Sequence, residues 1–163
     1  GDTVRFSTPE TSTRTLKIAS ALAATDIDIA TISHHEMDLT PALSKLYGYV
    51  LSEQTIEPSG LAHVVLPQRL FSDLSLECGD EDALVPLPGN LTTVKVWLFF
   101  IETPQGQYRV HFRSKAINVN AVAKAFNGGG HPLASGAFVP DLATVGQVIE
   151  QMQAQILAAT AVD

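Results

Sequence analysis

The residues best suited to chemistry lie in one stretch, Asn127-Gly128-Gly129-Gly130-His131-Pro132-Leu133-Ala134-Ser135-Gly136-Ala137. Three consecutive glycines free the backbone to take positive φ and bare it to whatever lies beside it. A histidine follows at once and adds a titratable donor. Such a loop can turn N–H groups toward an anion. A plain connector would be polar and Ser-rich; this stretch is flanked instead by the amphipathic run Val119–Phe126 and the apolar run Ala134–Val139. Just upstream, Tyr108, Val110 and Phe112 alternate with Arg109, His111 and Arg113. On a strand that alternation gives one core face and one face with three cationic or titratable groups. Alternation alone leaves an anion-binding face and a solvated face equally open.

The charge distribution singles out the same region. The chain carries a formal net charge of −7, which argues against general nucleic-acid binding. Yet no Asp or Glu occurs from Thr103 to Pro140, a window that holds Arg109, His111, Arg113, Lys115, Lys124 and His131. An acidic protein with one positive island suits a small anion held at one place better than a long polyanion held along a face. The single cysteine, Cys78, excludes an internal disulfide and a cysteine-based zinc cluster. No apolar run approaches the roughly 20 residues of a membrane helix, and the first residues are not a signal peptide. The cytoplasm is the default compartment.

These groups need elements to hold them. Ser12-Thr13-Arg14-Thr15 caps a helix to about Ala24, and Asp28 or Thr31 caps a short one after it. Thr40-Pro41 opens a longer helix with Leu43, Leu46, Tyr47, Val50 and Leu51 on one stripe. Pro58-Ser59-Gly60 marks a boundary. Leu61–Leu66 reads as a strand, Pro67–Leu76 as a short helix, and Asp80–Asn90 as a helical turn plus a Pro-Leu-Pro-Gly loop. Val94–Ile101, nearly all apolar, reads as a central strand, and Gln107–Arg113 as its alternating neighbour. A short helix over 119–126, a strand near 136–139 and a final helix from about Leu142 to Ala159 complete the pattern. Intermixed strands and helices predict an α/β class: a mixed sheet covered by helices from about Ser59, preceded by a helical linker.

Arg109 to Lys115 followed by the 127–137 stretch resembles the DHH-associated domain of DHH-superfamily phosphoesterases. The wording of the glycine stretch leans toward the oligoribonuclease and 3′-phosphoadenosine 5′-phosphate phosphatase branch. Asp2-Thr3-Val4-Arg5-Phe6 with Thr13-Arg14-Thr15-Leu16 is similar to the end of that family's catalytic domain. The resemblance implies three parts: 1–24 as the remnant of the DHH domain, 25–58 as the linker, and 59–163 as the substrate-binding domain. It implies phosphate ligands at Arg113 and His131. It brings Gly128, Gly129 and Gly130 close to substrate, with Arg109, Ser114, Lys115 and Ser135 in support. Asp2 matches a metal-ligand aspartate, and the implied ions are divalent, commonly manganese. Implied partners are a short RNA or nucleotide phosphate and the chain's own N-terminal DHH domain, with a homodimer as one assembly. Relatives in the superfamily act on cyclic dinucleotides, pyrophosphate or single-stranded DNA. A related domain ends alanyl-tRNA synthetases, which keeps a stand-alone RNA-binding module open as the alternative.

Two departures matter. Val4 stands where the family commonly has glycine. The Asp-His-His signature and the remaining metal-site aspartates are absent, and Ser33-His34-His35-Glu36 lacks the leading Asp and falls in the linker region. One aspartate cannot hold two metals, so the chain is expected to be a fragment that hydrolyses nothing alone.

Overall fold

A continuous apolar strand is buried on both faces and therefore needs cover on both sides. Val96–Glu102 meets that need at the centre of a six-stranded sheet. The computed structural model describes residues 3, 6, 10–36, 38–77 and 79–161. Asp2 and Cys78 lie outside the described residues. The chain divides into two compact units, Gly1–Leu39 and Thr40–Asp163.

The first unit holds α1 (Thr13–Ala23) and α2 (Ile29–His35). The Ser12 hydroxyl accepts from the Thr15 N–H at 3.1 Å, and the Thr15 hydroxyl accepts from the Ser12 N–H, closing a capping box. Asp28 caps α2 through the Thr31 N–H at 3.0 Å and the Thr31 hydroxyl at 2.7 Å. Those two bonds hold the Asp28 carboxyl below its usual range. Neither helix buries a residue, and His34 and His35 are exposed. His35 faces Asp38 at 3.2 Å.

The second unit starts at α3 (Pro41–Glu53), whose N-cap Thr40 accepts from the Leu43 N–H at 3.1 Å. The sheet strands are β1 (Thr55–Ile56), β2 (Leu61–Leu66), β3 (Val96–Glu102), β4 (Tyr108–Ser114), β5 (Gly129–His131) and β6 (Ala134–Val139). Their spatial order is β1-β2-β3-β4-β6-β5, parallel between β2 and β3 and antiparallel elsewhere. The parallel pair needs a crossover, supplied by α4 (Gln68–Leu74) and two 3₁₀ turns, Asp80–Ala83 and Leu87–Asn90. This is the α/β class with a mixed, helix-covered sheet that the sequence predicts.

One face of the sheet packs Leu61, Val96, Leu98, Phe100, Val110 and Phe112 against α5 (Asn120–Ala125) and α6 (Leu142–Thr160). The other packs Ala62, Val64, Trp97, Phe99 and Ile101 against α3, α4 and the 3₁₀ turns. Leu46 and Val50 of α3 belong to that second core, so the helix expected at the end of the linker helps to build the sheet's cover. Each fully buried Leu, Val or Phe contributes on the order of 2 kcal/mol.

The glycine stretch, expected as a loop ending in a strand at 136, folds into the β5–β6 hairpin with β6 starting at Ala134. Glycine lets the chain enter β5 where a side chain would collide. A Cβ on Gly128 would stand 2.2 Å from the Gly136 carbonyl. Among the described residues no helix is long and apolar enough to cross a membrane.

Candidate anion-binding site

The second core stops at β3. On β4 and β6 the same face carries Arg109, His111 and Arg113 beside Ala134, Gly136 and Phe138. Register sets them in cross-strand rows: Arg113 with Ala134 and then His131, His111 with Gly136 and then Gly129, Arg109 with Phe138. Strands lie about 4.8 Å apart, so Arg113 and His131 flank a floor of small residues with about 10 Å between their backbones. Phe138 is 61% exposed at the end of the floor. A cavity of about 480 Å³ opens there, lined by Arg109, His111, Asn127, Gly129, Gly136 and Phe138, among others. Arg113 and His131 occupy the row beyond that lining.

The hairpin is held in place from behind. Buried Asn120 donates from Nδ2 to the Gly130 carbonyl at 2.8 Å and to the Ser135 hydroxyl at 3.0 Å. The Ser135 hydroxyl donates to the His131 carbonyl at 2.8 Å. Asn127, in the left-handed region at φ 57°, ends α5, and the Gly128 N–H bonds back to the Ala123 carbonyl at 2.9 Å. Two expected contacts therefore face away from the open side. Ser135 is a strut inside the hairpin. Ser114 is also buried, its oxygen accepting from the Ala116 and Ile117 N–H groups at 3.2 and 2.8 Å. Lys115 donates to the Leu91 carbonyl at 2.8 Å.

Arg113 lies flat on the sheet, its Nη1 donating to the Phe112 and Ser135 carbonyls at 2.9 and 3.3 Å. Burial lowers its pKa from the ordinary arginine value, and Asp82 opposes that shift. His111 is held at about 4 by burial first and then by Arg113 and Arg109, with Asp82 pulling the other way. It is a neutral imidazole at pH 7. The unfolded chain takes up that proton near 6.5 and the folded chain only near 4. The stability tied to His111 is therefore complete above about pH 6.5 and lost as pH falls toward 4. A His111→Asn variant is expected to lose about 3 kcal/mol less than wild type between pH 7 and pH 4 in urea unfolding. Parallel pH curves for the two proteins would refute that assignment.

Sequence reasoning missed the acidic partners. Glu81 is 0% exposed; its carboxylate pairs with Arg109 and accepts from the Gly79 N–H at 2.7 Å. Asp82 Oδ1 lies 3.7 Å from His111 Nε2 and 4.0 Å from Arg109 Nη2. Nothing local marks these residues, because the crossover alone brings them to β4. Asn127 did carry a signal, being a residue tolerant of φ > 0 at a helix end.

Glu81, Asp82 and His111 bring one ligand atom each to within 4.8 Å of one another, a donor set of the kind that holds a divalent cation. It does not fit a metal here. Arg109 already neutralises Glu81, and Arg113 adds a second positive charge against which a cation would have to bind.

Within this α/β sheet and its glycine hairpin, residues 82–158 match the DHHA1 domain family. The chain as a whole is similar to parts of longer proteins. It is 40% identical over 94% of its length to a probable bifunctional oligoribonuclease and PAP phosphatase NrnA of Streptococcus mutans, covering 49% of that protein. It is 33% identical over 85% of its length to the Bacillus subtilis bifunctional oligoribonuclease and PAP phosphatase NrnA, covering 44% of it. An exopolyphosphatase-related protein from Bacteroides fragilis shares the fold, with a TM-score of 0.83 at 24% identity over 95% of this chain and 48% of that one. The chain spans about half the length of the curated relatives it matches.

Proposed function

We propose that this chain is the substrate-gripping C-terminal part of a metal-dependent phosphoesterase acting on short oligoribonucleotides, 3′-phosphoadenosine 5′-phosphate or both. The observation that carries the proposal is the row Arg113–Ala134–His131 on the open face, with the open Gly129 backbone in the next row. The relatives' names supply the substrate class.

The part played by these residues is to bind and orient. Arg113 offers its remaining guanidinium N–H groups to phosphate oxygens, His131 donates from the opposite wall, and the glycine hairpin lets backbone approach closely. The metals of the family, manganese in this reading, supply the activated water when bound to the DHH domain. Residues 1–24 are the end of that domain, Asp2 is its metal-ligand aspartate, and the chain alone turns nothing over. The compartment that goes with this reading is the cytoplasm.

Calorimetric titration of the chain with 3′-phosphoadenosine 5′-phosphate tests the site. Arg113→Ala and His131→Ala are each expected to weaken binding by about 10- to 100-fold, the worth of one charge-assisted contact. Wild-type affinity in both variants would place the phosphate elsewhere.

A further inference from the structure

The charges around the open face cancel. Glu81 and Asp82 enter from the 3₁₀ turn, Arg109 and Arg113 from β4, and His111 between them is neutral at pH 7. His131 stands across the floor on β5. Glu81 is fully buried and anchored by two partners. Asp82 differs: its side chain is 62% exposed, and its approaches of 3.7 and 4.0 Å are longer than hydrogen bonds. It is held by the field of the cations and is free to turn into solvent. Meanwhile Arg109 Nε and His111 Nε2 are buried without a hydrogen-bond partner among the described residues. These are unspent groups beside a cavity, and a phosphate oxygen can satisfy them.

Taking the open face as a phosphate site, we propose that Asp82 is that site's internal counter-ion. Its carboxylate occupies the field of Arg109 and Arg113 in the free chain, an entering phosphate displaces it, and it thereby sets how tightly the site holds its ligand. The cost of displacement scales with ligand charge, because a carboxylate about 5 Å from the anion repels a dianion twice as strongly as a monoanion. Asp82 therefore narrows the site's preference for terminal phosphates over diesters. It also keeps a cleaved product from being held too long.

The test is calorimetric titration of wild-type chain, Asp82→Asn and Glu150→Gln with inorganic phosphate and with dimethyl phosphate at pH 8. Glu150 is exposed on α6 and serves as the charge-matched control. Asp82→Asn is expected to bind inorganic phosphate about tenfold tighter and dimethyl phosphate about threefold tighter, with Glu150→Gln unchanged. Wild-type binding that Asp82→Asn leaves unaltered would overturn the counter-ion role and leave the phosphate site standing. Equal tightening in Glu150→Gln would assign the effect to net charge and also overturn it. Binding by none of the three would remove the site itself and this role with it.

Discussion

Arg109→Ala is expected to lower the stability of the Thr40–Asp163 unit by about 3 kcal/mol, because it strands a carboxylate in the interior. Glu81 is completely buried, and without Arg109 its one remaining partner among the described residues is the Gly79 N–H. A buried ion pair contributes little net stability against an apolar pair of like volume, but removing one partner leaves the desolvation of the other uncompensated. The double variant Arg109→Ala/Glu81→Ala is therefore expected to recover part of the loss. Urea unfolding of the three proteins at pH 7 reads both effects. A loss below about 1 kcal/mol in the single variant would show that Glu81 does not depend on Arg109. In the proposed phosphate site the pair has a second role. It fixes Arg109 opposite Phe138 at the cavity, which a freely rotating arginine would not do without losing side-chain entropy on binding.

Gly128→Ala and Gly129→Ala are expected to separate the hairpin's two roles. At Gly128 a methyl group would stand 2.2 Å from the Gly136 carbonyl, 2.7 Å from the Ala137 Cβ and 2.9 Å from the Ala123 carbonyl. Two of the three are backbone, so no side chain can rotate out of the way. The hairpin must lift off α5, at a cost of about 3 kcal/mol. A Cβ at Gly129 would meet no atom of the described residues within 4 Å beyond its chain neighbours, and its φ is outside the left-handed region. Gly129→Ala should fold with unchanged stability within about 0.5 kcal/mol. Its methyl group nevertheless enters the space over the open row, so phosphate affinity should fall about tenfold or more, the worth of one lost close contact. Thermal unfolding and phosphate titration of both variants decide the matter. A Gly129→Ala protein with full affinity would mean that the ligand does not approach this backbone.

The periodicity of the strands was legible because it is local. Alternation at 108–113 placed Arg109, His111 and Arg113 on one face, and the structure keeps them there. The apolar run at 94–101 announced a doubly buried strand, and β3 is one. The glycine stretch was legible as a place of close approach but not as a strand, since β-propensity is poor in glycine and only the pairing with β6 makes Gly129–His131 extended. The supporting roles expected of Ser114 and Ser135 could not be judged from residue type. A hydroxyl suits a phosphate or a backbone turn equally well, and strand parity put both on the covered side.

By itself the sequence determined the class of the domain and the cationic island, because composition and period-two alternation are properties of neighbours along the chain; Arg113 and His131 became ligand candidates through the family resemblance alone. Only the tertiary structure decided that the island is an open half-face next to a covered one. Only it put His131 in the row of Arg113, and only it brought Glu81 and Asp82 to the cations of β4. The physical reason is that strand order and crossover placement are settled by packing two cores at once, and that balance involves contacts between residues far apart in the chain.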